Sequence, residues 1–144
     1  MGGSSMSTAW TTLELVGIDA LRLKPGDDLR SALEELQLSA GGGAILTCVG
    51  SLSRTQLRMA GAKDIWVSEK PVEIVSLVGT LSQNGVHLHL SVSLPSGQVI
   101  GGHLMPGTLV RTTAEIVVAQ LGGAKLVRRP DHTTGFKELC FEER

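Results

Sequence analysis

Apolar and polar residues alternate most regularly over residues 86–94, VHLHLSVSL. A period of two is typical of a β-strand that buries one face and leaves the other polar. Asn84-Gly85 comes immediately before this segment and favours a tight hairpin turn. The run VEIVSLVGTL, residues 72–81, precedes the turn, and its β-branched residues favour a strand as well. The pattern therefore predicts a hairpin whose second strand carries polar side chains on one face.

One segment has the spacing of a helix instead. Leucines recur at i, i+4 and i+7 within residues 29–36, which places them along one helical face. Asp27 or Asp28 precedes this segment and can cap its first turn, because a carboxylate accepts hydrogen bonds from free backbone N–H groups. The glycines at residues 41–43 predict the end of this helical segment.

Short strands and turns account for the remaining pattern. Residues 20–23 predict a strand before the break at Pro25-Gly26, and residues 61–71 predict a loop. We expect two strands between residues 44 and 61, joined by a turn at Gly50-Ser51. Further strands are expected at residues 98–104, 109–121, 124–130 and 135–144. Together these segments predict an α+β domain with a barrel-like sheet of six to nine mostly antiparallel strands and one or two helices.

The chain has 144 residues, about the usual length of one domain. Residues 1–9, MGGSSMSTA, resemble a flexible leader or a cloning scar, and residues 10–144 are expected to form a single domain. No apolar run approaches the roughly 20 residues needed to span a bilayer. Cys48 and Cys140 lie far apart in aliphatic surroundings, which favours free thiols, a reducing compartment and a cytoplasmic location.

The charge balance argues against nucleic-acid binding by this domain alone. Thirteen Lys and Arg residues oppose 14 Asp and Glu residues, for a formal net charge of −1. A domain that binds DNA through its surface usually has a basic excess or a basic stripe. The densest basic groups here are only Arg128-Arg129 and the pair Arg54 and Arg58.

Three of the four histidines lie on or near the alternating segment. His87 and His89 are two positions apart, so on a strand they share one face and stand about 6.6 Å apart. The position of His103 depends on the length of the loop that follows the strand. A two-residue loop would turn His103 to the opposite face, unless a bulge at the neighbouring glycines restored it.

The loop Pro95-Ser96-Gly97 favours the register that joins the three histidines. A three-residue hairpin loop needs a left-handed residue, and Gly97 can provide it. Leu94 then pairs with Gln98, and the same register pairs His89 with His103. Directly opposed residues project to the same face, with Cβ atoms about 4.5–5.5 Å apart.

Three neutral imidazoles on one face suit Zn²⁺ with an open fourth position, and also other divalent metals such as Ni²⁺ or Fe²⁺. Gly101 and Gly102 precede His103, and their lack of side chains would let a ligand or a backbone approach closely, so both are candidate pocket-lining residues. The alternative is that His87 and His89 are polar residues on a solvated strand face.

Two further residues are candidates for a catalytic role. Glu73 begins the strand before the Asn84-Gly85 turn and could serve as a fourth ligand, a carboxylate partner of an imidazole, or a general base. It could equally be an ordinary carboxylate at a strand edge. Arg58, together with Arg54, could bind an anionic substrate, and the alternative is again a solvated strand face.

The order of five segments resembles the plant-and-prokaryote-conserved (PPC) domain. These segments cover the chain from about Ala20 to Leu121 and are LRLKPGDDLRSALEEL, GGGAILTCVGSLSRTQLR, VEIVSLVGTL, HLHLSVSLPSGQVIGGHL and TTAEIVVAQL. The H-x-H, loop and G-G-H part is the most specific. The resemblance implies an α+β domain that forms homotrimers.

In plants the PPC domain follows an AT-hook, a short basic segment that binds the DNA minor groove, and the domain itself associates with partners. This sequence has no RGRP core, so the resemblance implies assembly and not DNA binding. Glu73-Ile74 match a partner-contact stretch of the plant domain, where Pro71-Val72 replace Arg-Phe. The fold is also similar, more distantly, to acetolactate decarboxylase, a zinc enzyme whose ligand pattern matches His87, His89 and His103.

Three functional hypotheses follow. The first is a stand-alone PPC-like domain, homotrimeric, with a three-histidine zinc site and the activity of a metal-dependent lyase or hydrolase on a small molecule. The second is a non-catalytic trimeric scaffold or interaction module. The third, which the charge balance disfavours, is a DNA-associated regulatory role. No membrane partner is expected.

Overall fold

The computed structural model describes residues 8–61 and 63–143. Within these ranges it contains one helix and nine strands, in the order β1 (Glu14–Leu23), α1 (Leu29–Glu34), β2 (Gly42–Arg58), β3 (Ile65–Ser68), β4 (Val72–Ser82), β5 (Gly85–Ser93), β6 (Val99–Leu104), β7 (Leu109–Gly122), β8 (Ala124–Pro130) and β9 (Lys137–Glu143). The predicted α+β class is confirmed. Most of the predicted leader, residues 1–9, lies outside the described residues, and the single-domain assignment of residues 10–144 stays a prediction.

Helix α1 begins where the sequence predicts but ends earlier. Asp28 is the N-cap, and its Oδ1 accepts a hydrogen bond from the Ser31 N–H at 3.0 Å. The helix stops at Glu34, so the prediction that the glycines at residues 41–43 end it is wrong. Gly41 instead permits a close approach of two backbones, since a Cβ there would lie 1.7 Å from the Ala124 carbonyl oxygen.

Strand β2 continues through Gly50-Ser51, so the turn predicted there is wrong. In place of a turn, the pairing of β2 with β7 shifts its register between Gly50 and Leu52. A Cβ at Gly50 would lie 2.2 Å from the Thr113 carbonyl oxygen, and this glycine therefore marks a close approach of two strands. The loop predicted at residues 61–71 is also partly wrong, because it contains β3, which pairs with the end of β2.

The main sheet is antiparallel and has the strand order β1-β7-β2-β4-β5-β6, with β3 paired to β2. Strand β2 is long enough to pair with β4 along one part and with β6 at its end, where Leu57 lies opposite Leu104 and Arg58 opposite His103. This last pairing closes β2, β4, β5 and β6 into a ring. Strands β8 and β9 form a separate two-stranded sheet.

The core lies on the aliphatic inner face of the main sheet, where helix α1 also packs. The largest fully buried side chains are those of Leu29, Leu33, Leu52, Leu57, Leu81, Leu90, Leu104, Ile116 and Leu126. On β5, Leu88, Leu90 and Val92 are buried and the residues between them are exposed or half-buried, which confirms the predicted alternation. No helix within the described ranges is both long and apolar enough to cross a membrane.

Candidate metal centre

The hairpin of β4 and β5 places two histidines on the outer face of the sheet. The predicted hairpin forms, and Ser82 pairs with Gly85 across a two-residue turn of Gln83 and Asn84, so the turn lies one residue earlier than the Asn84-Gly85 signal places it. The same register sets Thr80 opposite His87 and Val78 opposite His89. Both imidazoles are exposed, because their aliphatic neighbours along β5 occupy the buried face.

The loop between β5 and β6 has the predicted three-residue form. Leu94 N–H donates to the Gln98 carbonyl and Gly97 N–H donates to the Leu94 carbonyl, each at 2.8 Å. Gly97 has a φ of +89°, the left-handed conformation that this loop requires. His89 lies directly opposite His103, and the predicted register is confirmed.

The three imidazoles form a compact cluster. Their centroids are 4.9 Å apart for His87 and His89, 4.6 Å for His89 and His103, and 6.0 Å for His87 and His103. One ring nitrogen from each residue lies within 4.8 Å of the other two. Nitrogen ligands about 2.0–2.1 Å from a tetrahedral zinc stand roughly 3.4 Å apart, a separation that small rotations of these side chains would reach. The donor set therefore fits a divalent transition metal.

Local electrostatics favours the neutral form of two of these histidines. His87 is exposed as a residue, but partial desolvation of its ring, followed by the charge of Arg128, lowers its pKa. Burial, followed by the charge of Arg58, lowers the pKa of His103. A neutral imidazole is the form that binds a metal, so the cluster is prepared for a ligand near neutral pH.

The structure separates the two candidate catalytic residues. Arg58 lies opposite His103 across β2 and β6, beside the cluster. Glu73 is exposed and pairs with Ser93, four residues along β5 from His89 and thus roughly 13 Å away. The register therefore places Glu73 away from these histidines within one chain, and its predicted role at the site stays a prediction.

Arg54 is engaged elsewhere, in an ion pair with Glu69 on the exposed surface. The anion-binding role proposed for it together with Arg58 therefore does not extend to the histidine cluster. An ion pair on the surface satisfies its guanidinium locally and contributes little to stability.

Arg128 of β8 contacts the cross-strand neighbour of His87, a contact that the sequence pattern does not reveal. Its Nη2 donates to Thr80 Oγ1 at 2.7 Å, and Thr80 is the residue opposite His87. The side chain of Asn84 holds the backbone of Arg128, donating to its carbonyl at 2.8 Å and accepting from its N–H at 2.6 Å. The sequence signals were only a basic pair and a turn asparagine, and neither specifies a contact between residues 44 positions apart.

A shallow cavity of about 250 Å³ adjoins the cluster. His89 and His103 form part of its wall, as do Gly101 and Gly102, the two glycines predicted to line a pocket. Gly102 also allows β2 and β6 to approach, since a Cβ there would lie 2.8 Å from the Arg58 carbonyl oxygen. The cavity gives a small molecule access to the side of the cluster formed by His89 and His103.

Known proteins resemble this chain in sequence and in fold. A bifunctional GlmU protein from Synechococcus is 44% identical over 125 residues, which are 85% of this chain, and the chain spans only 20% of that relative. A hypothetical protein from Salmonella enterica has a solved structure with a TM-score of 0.85 and 38% identity, covering 94% of this chain and 98% of its own.

Two archaeal structures are similar as well. A metal-containing protein from Archaeoglobus fulgidus has a TM-score of 0.73 and 26% identity, with coverage of 92% of this chain and 99% of its own. A plant- and prokaryote-conserved (PPC) protein from Pyrococcus horikoshii shares the fold, with a TM-score of 0.75 at 23% identity, over 95% of this chain and 99% of its own. Residues 10–122 match the Plants and Prokaryotes Conserved domain, and the chain therefore belongs to this family, called PPC above.

Proposed function

We propose that this PPC domain binds one divalent transition metal ion per chain through His87, His89 and His103, and that zinc is the preferred metal. The observation that carries the proposal is the register that sets His89 opposite His103, since it brings three ring nitrogens within 4.8 Å of one another. The similar fold of a protein described as metal-containing adds support. Nickel and iron are further candidates, because imidazole is a good ligand for both.

The metal would leave room for chemistry. Three protein ligands leave at least one coordination position for water or substrate, and a bound zinc ion lowers the pKa of that water or polarises a carbonyl group. The cavity beside His89 and His103 would hold the substrate, and Arg58 would add positive charge next to His103. These features support a lyase or hydrolase that acts on a small molecule.

Metal analysis of protein purified without a histidine tag tests the proposal. The protein is stripped with a chelator, reconstituted with Zn²⁺ and measured by elemental analysis, with one zinc per chain as the expected result. His89→Ala should abolish binding, whereas His132→Ala, in an exposed turn on the other sheet, should leave it intact. A content below about 0.2 zinc per reconstituted wild-type chain contradicts the proposal.

We also propose that the chain assembles as a homotrimer. Leu15, Ile18 and Val49 are all more than half exposed, and the registers of β1 and β2 with β7 place them on one face of the sheet. An apolar surface of this kind favours association. Light scattering should give about 45 kDa for three chains of 15.2 kDa, and a monomer at micromolar concentration contradicts the assembly.

The exposed apolar face also supports the second candidate function, a non-catalytic trimeric scaffold. The two functions are separated by the His89→Ala variant, which should retain any partner association if the scaffold role is the relevant one. A direct role in DNA binding requires an affinity that falls steeply with salt. The formal net charge of −1 makes it the weakest candidate, and the absence of any shift of a random duplex at low salt would exclude it.

A further inference from the structure

We propose that Arg128 binds the negatively charged group of a ligand at the histidine cluster, and that this ligand is a small carboxylate. The inference rests on the proposed metal site and extends it, because it names the chemical class of the molecule that the site accepts. The residues that carry it are Arg128, Thr80 and His87.

Arg128 is buried without a carboxylate partner. Only 9% of the surface of Arg128 is exposed, and its Nε has no hydrogen-bond partner. The ion pairs found among the described residues are Arg30 with Glu34, Arg54 with Glu69, and Arg129 with Glu142. A buried guanidinium is costly unless an anion or several acceptors compensate it. Within the described chain the Arg128 guanidinium donates one hydrogen bond, to the Thr80 hydroxyl, and the charge of Glu138 acts on it only from a distance.

The guanidinium is held in place beside the cluster. Asn84 fixes the backbone of Arg128 from both sides, so β8 is tied to the turn that precedes His87. Nη2 then reaches Thr80, the cross-strand neighbour of His87. The charge of Arg128 is also felt at His87, where it is the second cause of a lowered pKa after burial. The guanidinium is therefore held next to His87 through Thr80, while its unpaired Nε–H is covered from solvent and becomes available to a ligand only if the side chains around it move.

The other charges around the cluster agree with an anionic ligand. Arg58 lies opposite His103, and its charge acts on both His87 and His103. Glu138 is the acidic group whose charge acts on His87 and Arg128, but it forms no ion pair with Arg128 within 4.0 Å. Three neutral imidazoles, a divalent metal and two guanidinium groups would together carry an excess of positive charge.

The shape of the site indicates a small carboxylate. A guanidinium presents parallel N–H donors that match the two oxygens of a carboxylate. The cavity at the His89 and His103 end has about 250 Å³ and includes Ala60, Gly101 and Gly102 in its wall, which is less than a drug-sized pocket of 300–1,000 Å³ or so. Arg128 and Thr80 do not line this cavity, so the carboxylate would lie at the His87 end of the cluster beside Arg128, and only the short uncharged end would point towards the cavity.

Nuclear magnetic resonance of the arginine Nε–H groups tests the proposal directly. Zinc-loaded, ¹⁵N-labelled protein is titrated with sodium acetate and, separately, with acetamide, which has the same shape without the charge. The Arg128 signal is identified by its disappearance in Arg128→Lys. Arg129 is the internal control, because it is the adjacent residue and is paired with Glu142 at the surface.

Acetate should shift the Arg128 Nε–H signal until binding saturates, and acetamide should not shift it. The Arg129 Nε–H signal should stay unchanged in both titrations. The Kd of acetate, read from the histidine ring signals, should rise roughly tenfold or more in Arg128→Lys, because a fork of charge-assisted hydrogen bonds is lost. Arg129→Lys should leave this Kd within about twofold of the wild-type value.

An Arg128 signal that ignores acetate, or that responds equally to acetamide, overturns the inference. So does a change in assembly mass in Arg128→Lys without any acetate response, since it would assign the partner of Arg128 to another copy of the chain. If elemental analysis shows that zinc does not bind, the proposed function fails separately. The same titration of metal-free protein then decides whether Arg128 binds a carboxylate alone.

Discussion

His89 and His103 lie directly opposite each other on strands β5 and β6, with imidazole centroids 4.6 Å apart. Strand β6 carries His103 into this position while it also pairs with the end of β2. The geometry of the cluster thus depends on two contacts, the three-residue loop at residues 95–97 and the close approach of β6 to β2. Each can be changed without touching a histidine.

Gly102→Ala should disturb the cluster from the β2 side. The new Cβ would lie 2.8 Å from the Arg58 carbonyl oxygen, so β6 must shift away from β2 and carry His103 with it. We expect a loss of about 1–3 kcal/mol in the free energy of unfolding and weaker zinc binding, measured by urea unfolding and by zinc titration. Gly17→Ala, where nothing lies within 4 Å of the added Cβ, is the matched control. Equal zinc affinity in both variants would contradict the role given to the β2–β6 contact.

Asn84→Ala should loosen β8 from the main sheet. The variant loses the hydrogen bonds at 2.6 Å and 2.8 Å to the backbone of Arg128, and leaves that N–H and carbonyl without their partner. We expect a decrease of roughly 1–3 kcal/mol in the free energy of unfolding, with faster amide hydrogen exchange in β8 than in β5. Asn84→Asp retains the acceptor for the Arg128 N–H and should lose less. Unchanged exchange in β8 would show that Asn84 does not hold this strand.

The two free cysteines should differ in reactivity. Burial raises the pKa of the Cys48 thiol to about 11, so very little thiolate is present at pH 8, and the thiolate is the reactive form. Cys140 is half-buried and should react first with a thiol reagent in the native protein. One thiol per native chain and two per unfolded chain are expected. Rapid labelling of Cys48 in native Cys140→Ser protein would contradict its burial.

Acid should destabilise the metal-free protein through the histidine cluster. The pKa values of His87 and His103 are lowered from 6.5 in the folded state, so the unfolded chain binds protons at a higher pH than the folded chain does. The stability that they contribute is present above pH 6.5 and is lost as the pH falls through the lowered values. Urea unfolding at pH 7.5 and 5.5 in a chelator should show this decrease. The same decrease in the double variant His87→Ala/His103→Ala would assign it to other groups.

The sequence predicts the cluster well because its determinants are local. Alternation places His87 and His89 on one face, and Gly97 determines the loop that sets His103 opposite His89. The predictions for Gly50 and Gly41 are wrong because a glycine in a turn and a glycine under a neighbouring backbone have the same sequence signal. Their function depends on Thr113 and Ala124, residues distant in the chain.

The position of Arg128 beside the site is likewise not predictable from the sequence. Its approach to His87 requires β8 to lie across the β4–β5 turn, where Asn84 holds it. No period or motif within β8 specifies that contact, because it depends on how the second sheet packs against the first. Glu73 is the opposite case. Its strand, β4, pairs with β5 as the sequence predicts, but the register places Glu73 opposite Ser93 and away from the histidines.

A crystal soaked in Zn²⁺ and measured at the zinc absorption edge tests the metal site most directly. We predict one anomalous peak per chain, within bonding distance of His87, His89 and His103, at about 2.0–2.1 Å from each ring nitrogen. A fully soaked crystal with no peak at these three residues, or with zinc bound only elsewhere, would contradict the central claim.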